Sequence, residues 1–199
     1  MSRTAVLLSA LAVSAVFGAA DQYLGSFSAH PWAADVSLLS APWLVLAFLA
    51  GWTQTEPRRA ALVGLACTFA ALAGYCVMTL SPVENAQLTL PAVEGFVRSS
   101  RRVIVGGLFT GPLFGWLGYR WRSGRAWPGA VLVAAAVTLE PLARLYAGTA
   151  YEIRFRNVWV AEVAAGLAML AYVAWSTVAR RRSSGPADGS PPGRIFEPR

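Results

Sequence analysis

Six apolar runs of 17 to 21 residues, at 4–20, 36–52, 60–80, 103–119, 127–147 and 158–178, constrain this chain more than any other feature of it. A helix rises ~1.5 Å per residue and the hydrocarbon layer of a bilayer is ~30 Å thick, so each run can cross, the shortest with little tilt. Lipid offers no partner to a bare N–H or C=O, which dictates helices. The expectation is therefore an all-α, polytopic membrane bundle of six transmembrane helices within residues 1–182. Residues 183–199, with Ser-Ser-Gly-Pro and Ser-Pro-Pro-Gly, have the composition of a disordered cytoplasmic tail. The first run has a second reading, because Arg3, an apolar stretch and Gly18-Ala19-Ala20 before Asp21 also fit a cleavable signal peptide.

Composition excludes the main alternative. The chain is 56% hydrophobic and 14% charged, against roughly 25% charged for a soluble domain. Its net charge of +7 comes from seventeen arginines and no lysine, and with 36 alanines this is the signature of a GC-rich bacterial gene. The arginines sit between the apolar runs and form no continuous basic face, so no nucleic-acid partner is expected. Their distribution sets the orientation. Nine (Arg3, Arg58, Arg59, Arg120, Arg122, Arg125, Arg180, Arg181, Arg182) fall on one side and five (Arg98, Arg101, Arg102, Arg154, Arg156) on the other. By the positive-inside rule the nine face the cytoplasm, which puts both termini inside a bacterial plasma membrane. Tyr23, Trp32, Trp52, Trp121, Trp127, Tyr151 and Trp159 fall near the run ends, at headgroup level. In the longest connection, Pro91 can open a short helix carrying Val93, Phe96 and Val97 along the outer interface.

Gly107, Gly111 and Gly115 recur every four residues in the fourth run, and Gly118 continues nearby. Such a face lets a second helix approach closely, within the chain or from a membrane protein partner. Ala10, Ser14 and Gly18 repeat the pattern more weakly. Cys67 and Cys76 lie nine positions apart on roughly opposite helix faces, as small buried hydrophobes rather than a pair. His30 is the only histidine, no metal-ligand spacing occurs, and no motif for a nucleophile, a phosphate loop or a dinucleotide is present. No catalytic residue, metal or cofactor is expected.

The charges inside the runs carry the functional expectation. Glu140 lies thirteen residues into the fifth run, roughly 20 Å deep at ~1.5 Å per residue. A carboxylate at that depth must find a partner, reach water or hold a proton. Arg144, four residues on, shares its face, and Pro141 between them frees the carbonyl of Val137. With the amino end inside, Asp21, Gln22, Tyr75, Thr79, Arg101, Arg102, Glu140, Arg144, Arg154, Arg156 and Glu162 all fall in the outer half or at the outer surface. A polar cavity open to the exterior, holding a small-molecule ligand or an ion pair, is the expectation; interhelical ion pairs that only fix helix registry are its equal rival.

Ala41-Pro42-Trp43-Leu44-Val45-Leu46-Ala47-Phe48 with Gly51, Gly74-Tyr75, Gly111-Pro112-Leu113-Phe114-Gly115 with Trp121-Arg122-Ser123-Gly124-Arg125, and Glu140 resemble a domain-of-unknown-function family of small bacterial multi-pass membrane proteins. The resemblance covers roughly residues 5–178 and implies a multi-helix membrane fold without an activity. The compact six-run architecture is also similar to the substrate-binding subunits of energy-coupling-factor vitamin transporters. The leading expectation is a solute-binding or transport-associated subunit, and the second a non-catalytic structural or assembly protein of a membrane complex.

Overall fold

The computed structural model describes residues 3–27, 29–124, 127–149 and 153–183, which form helices joined by short connections, with no strand among them. In chain order these are α1 (Arg3–Ser26), α2 (Pro31–Ser37), α3 (Ala41–Trp52), α4 (Pro57–Thr79), α5 (Leu90–Ser99), α6 (Arg101–Arg122), α7 (Trp127–Ala147) and α8 (Arg156–Ser183). A single 3-10 turn, Pro82–Glu84, separates α4 from α5. α1, α4, α7 and α8 are long and apolar enough to cross a membrane, and α2 with α3 makes a fifth crossing if the bent pair is one span. α6 has the length, 22 residues, but five glycines and arginines at both ends dilute its apolarity and it falls outside that set. Ser183, the first residue of the tail expected at 183–199, instead closes α8; the rest of that tail and the interfacial Tyr151 lie outside the described residues.

Local sequence explains where the helices begin and end. Proline stands in the first turn of α2, α3, α4 and α5, where its missing N–H would have had no partner anyway. Gly124 and Gly148 adopt φ of 67° and 72° just past α6 and α7, the left-handed conformation that closes a helix and that glycine adopts without a Cβ penalty. α5 is the helix expected at Pro91. Thr89 caps it, accepting from the Ala92 N–H at 3.4 Å, and Val93 and Phe96 turn inward while Val97 is exposed.

The second run is not the continuous helix expected over 36–52. It is broken at 38–40, and α2 meets α3 at 50°. The cause is local: Pro42 has no N–H to offer the Leu38 carbonyl, so the helical ladder lapses there and Pro42 stands instead in the first turn of α3.

Close packing organises the rest. α1 lies along α4, α6 is wedged between α3 and α4, and α8 pairs with α7. The glycine seam mediates the wedge: Gly107 and Gly111 face Thr68, Gly115 faces Gly64 and Ala60, and Gly118 faces the backbone of Phe48 and Trp52. The seam is therefore filled by α3 and α4 of the same chain, and a partner helix has no access to it. The weaker pattern on α1 also packs internally, with Ser14 and Gly18 buried and Gly18 against the backbone of Ala71. Cys67 is buried with Ala50 and Val63, against Leu7, Ala10 and Leu11 of α1, and both cysteines are free thiols. The outer faces carry Leu8, Val16, Leu62, Phe109, Leu142, Leu167 and Trp175, each largely exposed. A soluble surface does not sustain so much apolar exposure; a lipid-facing one requires it.

Candidate functional site

The break between α2 and α3 strands backbone groups that an uninterrupted helix would pair, and in an apolar layer each stranded group is costly. Two side chains of α7 take them up. Glu140 accepts from the Ser40 N–H through Oε1 and from the Ala41 N–H through Oε2, both at 2.7 Å. Arg144 donates through Nε to Glu140 Oε1 at 2.9 Å and through Nη2 to the carbonyl oxygen of Leu38 and, at 3.5 Å, to Ser40 Oγ. The carboxylate thus sits at the start of α3 and the guanidinium on the carbonyl just past the end of α2, the signs that helix dipoles favour at those ends. Spacing of i,i+4 on α7 puts both groups on one face, with relative exposures of 8% for Glu140 and 13% for Arg144.

Glu162 of α8 is 5% exposed and its carboxyl faces that of Glu140. Among the described residues no donor reaches either of its oxygens. This corner of the bundle thus holds two acidic side chains and one fixed cation, Arg144.

On the other side of the break lies a cavity of about 410 Å³, between α1, α3, α4, α5 and α6. Its wall includes residues 37–40 of the break itself. Asp21 enters it from α1, 7% exposed, and accepts from the indole Nε1 of Trp43 at 3.3 Å. Trp43 and Tyr75 have ring centroids 6.2 Å apart, as do Tyr75 and Phe96, so α3, α4 and α5 present one aromatic wall.

The expected site residues therefore separate into groups. Glu140, Arg144 and Glu162 are together at the break, and Asp21 and Tyr75 are together in the cavity. Arg101 and Arg102 are exposed on the first turn of α6, and the Arg154 side chain is exposed while its backbone is held. Gly107, Gly111 and Gly115 are buried packing positions, with Gly107 also lining the cavity. Among the described residues no three metal-ligating side chains come together.

Two residues escaped the sequence reading. Asp35, 3% exposed on α2, accepts from the backbone N–H groups of Arg154 at 2.7 Å and Phe155 at 2.6 Å, fixing the approach to α8. Trp43 is the donor to Asp21. The signal for Trp43 was Ser40-Ala41-Pro42, which reads as a helix start and places the next residue in the first turn; for Asp35 it was an acidic residue in a stretch without a nearby arginine. Compared with family models, with curated proteins and with solved structures, the chain finds no match in any of the three.

Proposed function

We propose that this is a six-span protein of a bacterial plasma membrane, with both termini cytoplasmic, that binds a small solute in a cavity open to the outer face, as a solute-binding or transport-associated subunit. The cavity beside the broken span, with one buried carboxylate in an otherwise uncharged lining, carries this reading. Discontinuous helices that frame a site are a recurrent device of membrane transporters, and a pocket of this size fits the small end of the ~300–1,000 Å³ range of ligand sites. α6 supplies the sixth crossing, because it packs between α3 and α4 along its length. Kinship with the family of small multi-pass membrane proteins belongs to the same proposal.

A structural role in a membrane complex is the second reading, favoured by one observation: Glu140 and Arg144 both hydrogen-bond backbone groups of the same chain. Native mass spectrometry of the gently solubilised protein separates the two. Under the first reading the wild type retains a small molecule, and Gly106→Phe loses it. Gly106 lines the cavity and nothing lies within 4 Å of where its Cβ would be, so the ring fills space without displacing a helix. Wild type and variant that are equally empty would end the solute-binding reading. Orientation is checked by Ser26→Cys and Ser123→Cys in a Cys67→Ala, Cys76→Ala background. An impermeant thiol reagent added outside intact cells is expected to label position 26 alone, and labelling of both positions overturns the topology.

A further inference from the structure

We infer that the cavity takes an organic ammonium monocation, with its charged head at Asp21 and its apolar part against Trp43, Tyr75 and Phe96. This deepens the solute-binding reading and rests on it. Among the residues that line the cavity, Asp21 is the one charged side chain, and no arginine is among them. Its Oδ2 holds the Trp43 indole proton, while Oδ1 takes no hydrogen bond from any described residue. A buried carboxylate with a free oxygen attracts a positive charge; an anion entering here would meet a like charge with no cation to offset it.

The rings decide which cation. A bare metal ion needs several oxygen ligands, and the side chains around Asp21 are instead mainly aromatic and apolar. Ring faces attract an ammonium group through their quadrupole and gain most where water is excluded. Phe17 extends the aromatic surface behind Trp43, at 5.4 Å between centroids in edge-to-face geometry. Ser40, Thr68 and Thr110 also line the cavity, where the hydroxyls of Thr68 and Thr110 donate to the carbonyls of Gly64 and Gly106 of their own helices. Arg101 and Arg102, between the lining residues Ser100 and Val103 in sequence, are exposed, so salt screens their repulsion over a Debye length of ~8 Å. Arg144 lies on the far side of the break and is engaged by Glu140. Phe96 rides on α5, so the occupant is roofed by a short amphipathic helix rather than by a span.

Benzyltrimethylammonium and benzenesulfonate, similar in ring and opposite in charge, test this with the purified full-length protein in micelles. Calorimetry and thermal unfolding are expected to show that the cation binds and raises the unfolding midpoint while the sulfonate does neither. Asp21→Asn should weaken the cation at least about tenfold, Asp21→Glu should retain it, and Phe96→Ala should weaken it several-fold. Equal binding of the two probes, no binding of the cation, or unchanged affinity in Asp21→Asn overturns the inference. If Asp21→Asn does not fold, the comparison of probes on the wild type and the Phe96→Ala result still decide. A retained neutral or anionic molecule that Gly106→Phe expels would sink the cation assignment and leave the solute-binding reading standing.

Discussion

Glu140→Ala is expected to cost about 3–5 kcal/mol of stability, the range for removing one partner of a buried ion pair. The change does more than expose Arg144. It strands the N–H groups of Ser40 and Ala41, both of which now donate to the carboxylate at 2.7 Å. Glu140→Gln keeps one oxygen for those donors and loses the charge, so its cost should be smaller, about 1.5–3 kcal/mol for hydrogen bonds to a charged group. Arg144→Ala should be damaging for the mirror reason, since it leaves the Leu38 carbonyl without its guanidinium and leaves the carboxylate uncompensated. The double variant is diagnostic. A pair that served only itself would return to wild-type stability when both members are removed, whereas a pair that clamps a helix break should recover only part of the loss. Glu162→Gln should be neutral or stabilising, because an amide can donate to Glu140 where a carboxylate cannot. Unfolding in a mixed-micelle titration, followed by helical circular dichroism, measures all five. An unchanged midpoint in Glu140→Ala would refute the clamp.

How much of this could be read from the sequence depends on which length scale carried the information. Helix positions were legible because apolar runs are set by bilayer thickness: the run at 127–147 is α7 itself, and 60–80 lies close to Pro57–Thr79. The i,i+4 pair of Glu140 and Arg144 was legible for the same reason, since helical periodicity alone fixes a shared face. The break was not, because 38–40 is as apolar as its flanks and an average over seventeen residues passes across it. Only Pro42, weighed as a helix start rather than as one residue within a span, marks the place. The depth of a residue in the membrane likewise placed Asp21, Glu140 and Glu162 in one half without showing that the broken segment divides them. Asp35 was invisible because its partners are backbone groups, and backbone donors leave no trace in a residue pattern.

Residues from three separate stretches of the chain, 41–51, 115–122 and 140, converge on α3. Ala41-Pro42 restarts it, Glu140 holds its first turn, and Gly51, next to its last residue, meets Gly115 of α6. At its far end Arg122 donates to the carbonyls of Trp52 at 3.3 Å and Thr53 at 2.8 Å. A twelve-residue helix is too short to cross alone, so it depends on neighbours at both ends and along its side. These contacts keep one short helix in place and so position Trp43 in the cavity.

Replacing glycine by alanine in that side contact is expected to have the second large effect. A Cβ on Gly118 would stand 2.7 Å from the backbone nitrogen of Trp52 and closer still to the Phe48 carbonyl; one on Gly115 would stand 3.0 Å from the Cα of Gly64 and closer to the Ala60 carbonyl. Real Cβ atoms do not make such approaches, and the opposing atoms are backbone, which cannot rotate away. Either variant must therefore push α6 off α3 or α4 along the whole seam, at a cost at or above the upper end of the ~1–3 kcal/mol typical of overpacking. Gly106→Ala and Gly95→Ala are the controls, because open space lies where each methyl would go. There alanine should be neutral or stabilising by up to about 1 kcal/mol through helix propensity. Chemically the four substitutions are identical, so a difference between the pairs can arise only from helix separation. Gly118→Ala and Gly115→Ala should unfold at lower detergent fractions than the wild type and lose any retained cavity ligand, since α6 forms one wall of that cavity. Four variants that unfold alike would mean that the seam does not hold the bundle together.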